Sequence, residues 1–181
     1  MKKIFILTLA AILSIAFTSC ENDPIDEIPV KYPKLIFPEP YTVWGGTVAN
    51  TREHMRKFGL DGSDLNQLDV EYLDGKLEHK WFQFYAGENL YDKSHSQIFY
   101  KYCFDSSEGG LKAIYIELNG YGTIKLDEIT TQFKNAGYSY DGFIETKFHQ
   151  YSNAATIVRY YVAESYLTYK ANNDSDEIKW R

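Results

Sequence analysis

The chain has 181 residues, of which 25 are acidic and 19 basic, so its net charge is −6. This length suits a single domain with a core of its own, or two small repeats that share one core. An acidic chain lacks the basic footprint of a nucleic-acid-binding protein, and it is not attracted to an anionic lipid surface. Sixteen tyrosines and eleven phenylalanines favour a strand-rich fold.

Residues 1–19 have the pattern of an export signal. Two lysines precede an apolar run to residue 17, which is too short for a membrane-spanning helix because such a helix needs about 20 residues. The run ends at Phe17-Thr18-Ser19-Cys20, which resembles the lipobox of bacterial lipoproteins, with Phe in place of the usual Leu. The resemblance implies cleavage before Cys20 and lipidation of Cys20. The alternative is an ordinary secretory signal cut near Ser19.

Residues 20–40 are expected to form an acidic, semi-rigid tether. They contain every proline of the chain, and proline holds the backbone extended. The acidic run after Cys20 resembles the signal that moves some lipoproteins to the outer face of the Gram-negative outer membrane. We therefore expect a lipid-anchored outer-membrane protein, with the membrane leaflet left open. A solvated acidic linker is the alternative interpretation of the run. With Cys20 lipidated, Cys103 has no disulfide partner.

The first predicted unit covers residues 41–119. Trp44-Gly45-Gly46-Thr47 precedes a helix that extends to Phe58, and Gly59 stands where a C-terminal cap glycine belongs. Asp74-Gly75 predicts a hairpin turn. The strands expected in this unit are Leu68–Leu73, Leu77–Ala86, Gln97–Asp105 and Leu111–Leu118.

The second predicted unit covers residues 120–172 and has the same order. A helix extends to Ala136 with Gly137 as its cap, and Asp141-Gly142 predicts a second hairpin turn. The expected strands are Phe143–Tyr151, Thr156–Ala163 and Tyr166–Ala171. Residues 173–181 are a polar tail.

The two units echo each other in sequence. DGKLEHKWFQFY in the first unit corresponds to DGFIETKFHQY in the second, and both follow a glycine-capped helix. We therefore expect an α+β fold of two tandem helix-plus-antiparallel-sheet units, with the helices packed on one face of the sheet.

Side-chain alternation in the echoed strand predicts a binding surface. Leu77 and Ile144, with Trp81 and Phe148, are expected to face the helices. The opposite side would then expose aromatic residues among charges, a composition typical of interfaces. The residues expected to bind a partner are Phe82, Phe84, Phe143, His149 and Tyr151. Coverage of these residues by the inserted loop or the other unit is the alternative.

The tandem order, the Trp44-Gly45 pair, the capped helices and the Asp-Gly hairpins resemble the β-lactamase inhibitor protein family, over roughly residues 41–171. This resemblance implies a concave aromatic face that grips a partner protein. The disulfides and inhibitory loop of that family have no counterpart here, so inhibition of a β-lactamase does not carry over. A smaller relative architecture occurs in the lipoproteins of the outer-membrane β-barrel assembly machine, which implies a scaffold role.

The sequence nominates no catalytic centre, metal site or cofactor site. The four histidines form no HExxH motif, and no P-loop, dinucleotide-binding or nucleophile-elbow pattern is present. The expectation is therefore a non-enzymatic, membrane-anchored, surface-exposed protein-binding module. It would act as an inhibitor or scaffold on a protein partner in the envelope or at the cell surface. A carbohydrate-binding accessory lipoprotein, using the same aromatic rings, is the alternative.

Overall fold

The computed structural model of the protein describes residues 36–71, 75–88, 97–119 and 124–175. The signal segment 1–19, Cys20 and tether residues 20–35 lie outside the described residues, as do residues 120–123 and 176–181. No helix within the described ranges has both the length and the apolar character needed to cross a membrane.

The described chain forms one antiparallel sheet of eight strands and two short helices. In chain order the elements are α1 (Val48–Arg56), β1 (Asn66–Glu71), β2 (Leu77–Glu88), β3 (Gln97–Phe104), β4 (Leu111–Asn119), α2 (Leu126–Asn135), β5 (Ser139–Ile144), β6 (Phe148–Ser152), β7 (Thr156–Tyr161) and β8 (Tyr166–Ala171). The strand order in the sheet is β1-β2-β3-β4-β8-β7-β6-β5. The first and last four strands therefore meet at the central β4–β8 pair, and β1 and β5 are the edges.

The predicted α+β fold of two tandem units is wrong. Only 15% of the described residues are helical, whereas 48% are in strands, so the fold is mostly β. The hydrogen bonds of β4 with β8 run across the boundary expected between the units and join all strands into one sheet. Sequence echoes are local, and they could not show that the sheet is continuous.

Both helices begin and end close to their predicted positions. The Thr47 hydroxyl accepts a hydrogen bond from the Asn50 amide and caps the start of α1. Gly59 and Gly137 follow the two helices with φ angles of 72° and 86°, which glycine adopts without steric cost. Their predicted role as cap residues is confirmed.

The main core lies between the sheet and both helices, and we call this side the helix face. Met55 of α1, with Ile129 and Phe133 of α2, belongs to the same buried cluster as alternate residues of the sheet. The sheet residues of this cluster include Tyr85, Tyr100, Tyr102, Ile114, Ile116, Tyr151, Val158, Tyr160, Leu167 and Tyr169. Tyrosine is thus the main packing residue of this face.

The N-terminal segment, residues 36–41, is part of this core. Ile36 and Phe37 are buried, and the Gln132 side chain accepts a hydrogen bond from the Ile36 amide and donates one to the Phe37 carbonyl. The Tyr100 hydroxyl donates to the Pro38 carbonyl at 2.9 Å. Residues 36–40, which the sequence places at the end of the tether, therefore fill the helix face.

The predicted turn at Asp141-Gly142 lies inside β5, at a register shift in its pairing with β6. The chain reverses instead at Glu145 and Thr146, whose φ angles are 50° and 56°, and the Lys147 amide donates to the Ile144 carbonyl at 3.0 Å. Two consecutive non-glycine residues with positive φ form this turn. Such residues are uncommon at these angles, so sequence preference pointed to the glycine.

This displaced turn reverses the expected faces of β6. Phe148 and Gln150 lie opposite the helices, while Tyr151 is fully buried on the helix face. The prediction that Phe148 faces the core under the helices and that Tyr151 faces outward is therefore wrong. In β2, Trp81 packs against the main core as predicted, but Leu77 is 64% exposed.

Candidate functional site

The face of the sheet opposite the helices, which we call the outer face, carries an unusual number of aromatic residues. Strand alternation and register place them there because each is paired with a residue of the same face on the next strand. These residues are Phe82, Phe84, Phe99, Tyr115, Phe148, Tyr161 and Tyr166. Both helices and the N-terminal segment pack on the other side.

Four of these rings form a continuous row across strands β4, β8, β7 and β6, which we call the aromatic ladder. The ring centroids of Tyr115 and Tyr166 are 5.0 Å apart, and those of Tyr166 and Tyr161 are 4.4 Å apart with planes at 18°. Phe148 follows at 5.1 Å from Tyr161. Each contact joins neighbouring strands, so the ladder is fixed by the sheet itself.

Two cations lie over rings of the outer face. The Arg159 guanidinium is 4.8 Å from the centre of the Phe148 ring. The Lys101 ammonium is 4.7 Å from the Phe82 ring and 5.4 Å from the Phe84 ring. Such contacts are favourable and keep the cation near the protein surface. Burial also lowers the pKa of Lys101.

Beneath Phe84 and Lys101 lies a small second core on the outer side of β1 to β4. Phe82, at 2% exposure, packs there with Val70, Cys103 and Ala113. The buried Lys80 ammonium forms an ion pair and hydrogen bond with Asp105. Burial raises the pKa of the Cys103 thiol to about 12. The thiol is therefore protonated near neutral pH, and its nucleophilic form is scarce.

The residues predicted to bind a partner fall into three places. Phe82 and Phe84 lie together on the outer face with ring centroids 6.4 Å apart, but Phe82 is buried. Tyr151 is in the main core, where its hydroxyl hydrogen-bonds with Thr130 at 2.9 Å. Phe143 and His149 form a separate cluster at the β5 edge.

That cluster, which we call the edge patch, consists of Tyr140, Phe143 and His149. The Tyr140 hydroxyl hydrogen-bonds with His149 Nδ1 at 2.8 Å, and the Phe143 and His149 rings are 4.8 Å apart. Phe143 is 53% exposed. Partial burial lowers the pKa of His149, which favours the neutral ring. The edge patch lies on the helix side of β5 and β6, so the predicted residues do not form one surface.

Sequence reasoning missed the ladder. Tyr115, Tyr161, Tyr166, Phe148 and Arg159 were left out because the pairing of β4 with β8 decides that their rings meet. Alternation within TIVRYY and YLTYKA places Tyr161 and Tyr166 on the outer face of each strand, and this was the available signal.

The outer face offers ring edges, hydroxyl groups and cations, an arrangement suited to binding. Burial first, then the neighbouring Tyr161, Glu164 and Tyr115, raise the pKa of Tyr166 to about 12, so its hydroxyl stays protonated near neutral pH. Among the residues the structure describes, no three His, Cys, Asp or Glu side chains are grouped to hold a metal ion.

Fold and surface together define a mostly β, single-sheet protein with one sheet face packed by helices and the other aromatic and uncovered by them. Comparison with known proteins finds no matching family model, no similar curated protein and no similar solved structure. The resemblances to bacterial lipoproteins and to the β-lactamase inhibitor family therefore depend on the sequence motifs alone.

Proposed function

We propose that this protein is a lipid-anchored binding module that engages an acidic protein surface through the outer face of its sheet. The observation that carries the proposal is the aromatic ladder with Arg159 over one of its rings and Lys101 over the neighbouring Phe82, on the side of the sheet away from both helices. Tyrosine and arginine are the residues that most often dominate the energetics of protein interfaces.

Ring geometry favours a protein over a glycan on this face. Two coplanar rings that both offer a flat face to a sugar lie side by side, so their centroids are farther apart than 4.4 Å. The Tyr161 and Tyr166 centroids are only 4.4 Å apart. These two rings are stacked face to face, so each covers one flat face of the other and closes it to a ligand. A sugar ring stacks on an exposed aromatic face, whereas a protein surface can accept edges and hydroxyl groups.

Charge on this face points to the chemistry of the partner. Three cations, Lys101, Arg159 and Lys170, lie on the outer side of the four central strands, where Glu117 is the strand carboxylate. This central part of the face carries more positive than negative side chains, although the whole chain carries −6. Carboxylates lie around it, with Glu78 on β2 and Glu164 beside Tyr166. Complementary charge steers association and selects partners. A stable interface buries about 800 Å² on each partner, and a patch that crosses six strands is wide enough.

The anchor is proposed at Cys20, with the domain on the outer membrane and facing the exterior. Each buried acyl methylene contributes about 0.8 kcal/mol, so a lipoprotein cysteine with several chains remains on its membrane. Metabolic labelling with palmitate tests this part. Label on the wild-type chain that is lost in Cys20→Ser is expected, and equal labelling of both would contradict lipidation at Cys20.

The binding face is tested by photo-crosslinking in cells, with p-benzoylphenylalanine in place of Tyr166. We expect a discrete protein adduct that disappears when Lys101 and Arg159 are both changed to Glu. The matched control is Lys134→Glu on the exposed side of α2, which should leave the adduct unchanged. After isolation of the partner, the double reversal should weaken its affinity by 100-fold or more, since both reversed charges face an acidic surface.

Two results would overturn this proposal. An adduct that persists at equal yield in the double variant would show that the cationic rings do not select the partner. Absence of any protein adduct, together with glycan binding that Tyr161→Ala and Tyr166→Ala abolish, would make the face a carbohydrate site.

A further inference from the structure

A second candidate site lies at one end of the sheet, around Trp44. The indole lines two adjoining clefts of about 380 and 610 Å³. Ala171 and Asn173 line both clefts as well, so the two clefts adjoin at Trp44, Ala171 and Asn173. We call them together the Trp44 groove. Ligand sites commonly have volumes of about 300–1,000 Å³.

Trp44 is held rigidly in this groove. Its indole Nε1 donates to the hydroxyl of the buried Thr156 at 3.0 Å, so the polar edge of the ring points into the protein. The Gly45 amide donates to the Leu111 carbonyl at 3.0 Å, and the Gly46 carbonyl accepts from the Leu111 amide at 3.1 Å. These bonds fix the turn that carries Trp44 against the β3–β4 loop. A ring already fixed in place loses little conformational entropy when a ligand stacks on it.

The opposite wall of the groove is equally ordered. The Asn153 side chain accepts hydrogen bonds from the amides of Ala155 and Thr156 at 2.9 and 2.8 Å. The Asn172 amide donates to the Ala155 carbonyl at 2.9 Å, which joins the β6–β7 loop to the end of β8. The groove therefore has an apolar lining of methyl groups beside Trp44, with the exposed Asn173 at its edge.

The smaller cleft contains a charged hydrogen-bond donor beside charged acceptors. The Lys112 ammonium is 3.7 Å from an Asp105 oxygen and 3.9 Å from an Asp174 oxygen. Direct N–H···O bonds are about 2.7–3.2 Å long, so these contacts are ion pairs longer than a hydrogen bond. A ligand hydroxyl group that lies beside them can accept a bond from the ammonium and donate one to a carboxylate.

The charges in this cleft favour a neutral ligand. Asp105 and Asp174 are balanced by Lys112 and by the buried Lys80 that pairs with Asp105, so the cleft favours neither an anion nor a cation. A fixed indole, methyl groups and polar groups that can both donate and accept hydrogen bonds are together the chemistry that recognises a neutral sugar. We propose that the Trp44 groove binds a neutral oligosaccharide, at a site separate from the aromatic ladder.

The test is titration of the full chain, in a detergent without sugar groups, with neutral β-1,4- and α-1,4-linked glucan, xylan and mannan oligomers of four to six units. Calorimetry and tryptophan emission are both recorded. We expect one oligomer to bind and shift the emission. Trp44→Phe should weaken binding tenfold or more and remove the emission shift. Trp81→Phe, which changes a tryptophan outside the groove, should keep both.

A second variant guards against loss of folding. Asn173 is exposed, so Asn173→Ala should leave the melting temperature unchanged and weaken the oligosaccharide about tenfold. Absence of binding by every oligomer would overturn the proposal. So would binding that survives both groove variants, including the case in which Tyr161→Ala and Tyr166→Ala abolish it instead. A failed protein adduct at Tyr166 would leave this groove unaffected, because no residue is shared between the two sites.

Discussion

The two faces of the sheet use the same residue type in opposite ways. On the helix face, tyrosine rings fill the core, and two of their hydroxyl groups bond to the N-terminal segment: Tyr100 donates to the Pro38 carbonyl, and Tyr102 accepts from the Tyr41 amide. On the outer face, Tyr115, Tyr161 and Tyr166 stack side by side along the surface. Aromatic content alone therefore does not distinguish core rings from surface rings. The two kinds of ring differ in whether other elements of the chain pack over them.

The largest difference is expected for a core ring. Phe133→Ala removes a fully buried ring that lies 4.6 Å from Tyr151 and 5.5 Å from Tyr138. We expect a loss of about 3–5 kcal/mol in the free energy of unfolding, measured by urea denaturation. The control, Phe84→Ala on the half-buried outer face, should lose about 1 kcal/mol. Equal losses would mean that both faces are packed alike.

The next largest loss of stability is expected for the two hydrogen bonds between the Gln132 side chain and the N-terminal segment, which we call the Gln132 clamp. Gln132→Ala leaves the buried Ile36 amide and Phe37 carbonyl without their hydrogen bonds, at about 1–2 kcal/mol for each group. We expect a total loss of about 2–4 kcal/mol and faster hydrogen exchange at the Ile36 amide. Gln150→Ala, on the outer face, should change stability by less than about 0.5 kcal/mol. Unchanged exchange at Ile36 would contradict the clamp.

Glu39 makes the helix face sensitive to pH. Burial raises its pKa from 4.5 to about 7. Burial also raises the pKa of Tyr102, Tyr138 and Tyr169, and the Glu39 charge adds to this effect on β3, the α2–β5 connection and β8. On α1, the His54 ring hydrogen-bonds with the Glu39 carbonyl. The folded state favours the protonated acid, so its stabilisation is complete below pH 4.5 and is lost as the pH rises to about 7.

A shift of one pKa unit corresponds to about 1.36 kcal/mol. Because Glu39 is partly exposed, we reduce the resulting change in the free energy of unfolding to about 2 kcal/mol. Glu39→Gln should therefore match the wild type at pH 4 and exceed its stability by about 2 kcal/mol at pH 8, measured by urea unfolding at each pH. Glu53→Gln, at an exposed position of α1, should leave the pH profile unchanged. A profile that Glu39→Gln leaves intact would exclude Glu39 as its source.

The smallest effect is expected for a cation on the outer face. Lys101→Met removes the ammonium from the Phe82 and Phe84 rings but keeps the apolar stem, so we expect a loss of about 0.5–1 kcal/mol. Lys134→Met on exposed α2 is the matched control and should be neutral. A loss above about 2 kcal/mol would show that Lys101 belongs to the core of the outer side.

Local signals predicted local structure well. Gly59 and Gly137 end their helices as expected, and the hairpin of β1 and β2 pairs Glu71 with Leu77, although residues 72–74 of its turn lie outside the described residues. Cap glycines and strand alternation depend on the conformations of a few neighbouring residues, which the sequence states directly.

Long-range pairing could not be predicted in this way. Alternation correctly placed Trp81 and Phe82 on opposite faces of the sheet. It did not show that Phe82 is buried, because the residues that pack beside it, Cys103 and Ala113, come from β3 and β4. Likewise, because the chain turns at Glu145 and Thr146, the alternation of side chains along β6 is the reverse of the predicted one. Tyr151 therefore lies in the core and Phe148 in the ladder. The candidate site depends on which strands are neighbours, and the local patterns of alternation and turn residues do not show which distant strands pair.

The Gln132 clamp also determines where a pull on the N-terminal chain would enter the folded unit. Traction on residues before Ile36 loads the two Gln132 hydrogen bonds and then the Tyr100 bond to Pro38, which lead to α2 and to the interior strand β3. Because these attachment points are distant along the chain, the load is shared between a helix and the middle of the sheet. A segment held at a helix and an interior strand withstands a pull better than one held by an edge strand, whose hydrogen bonds could break one at a time.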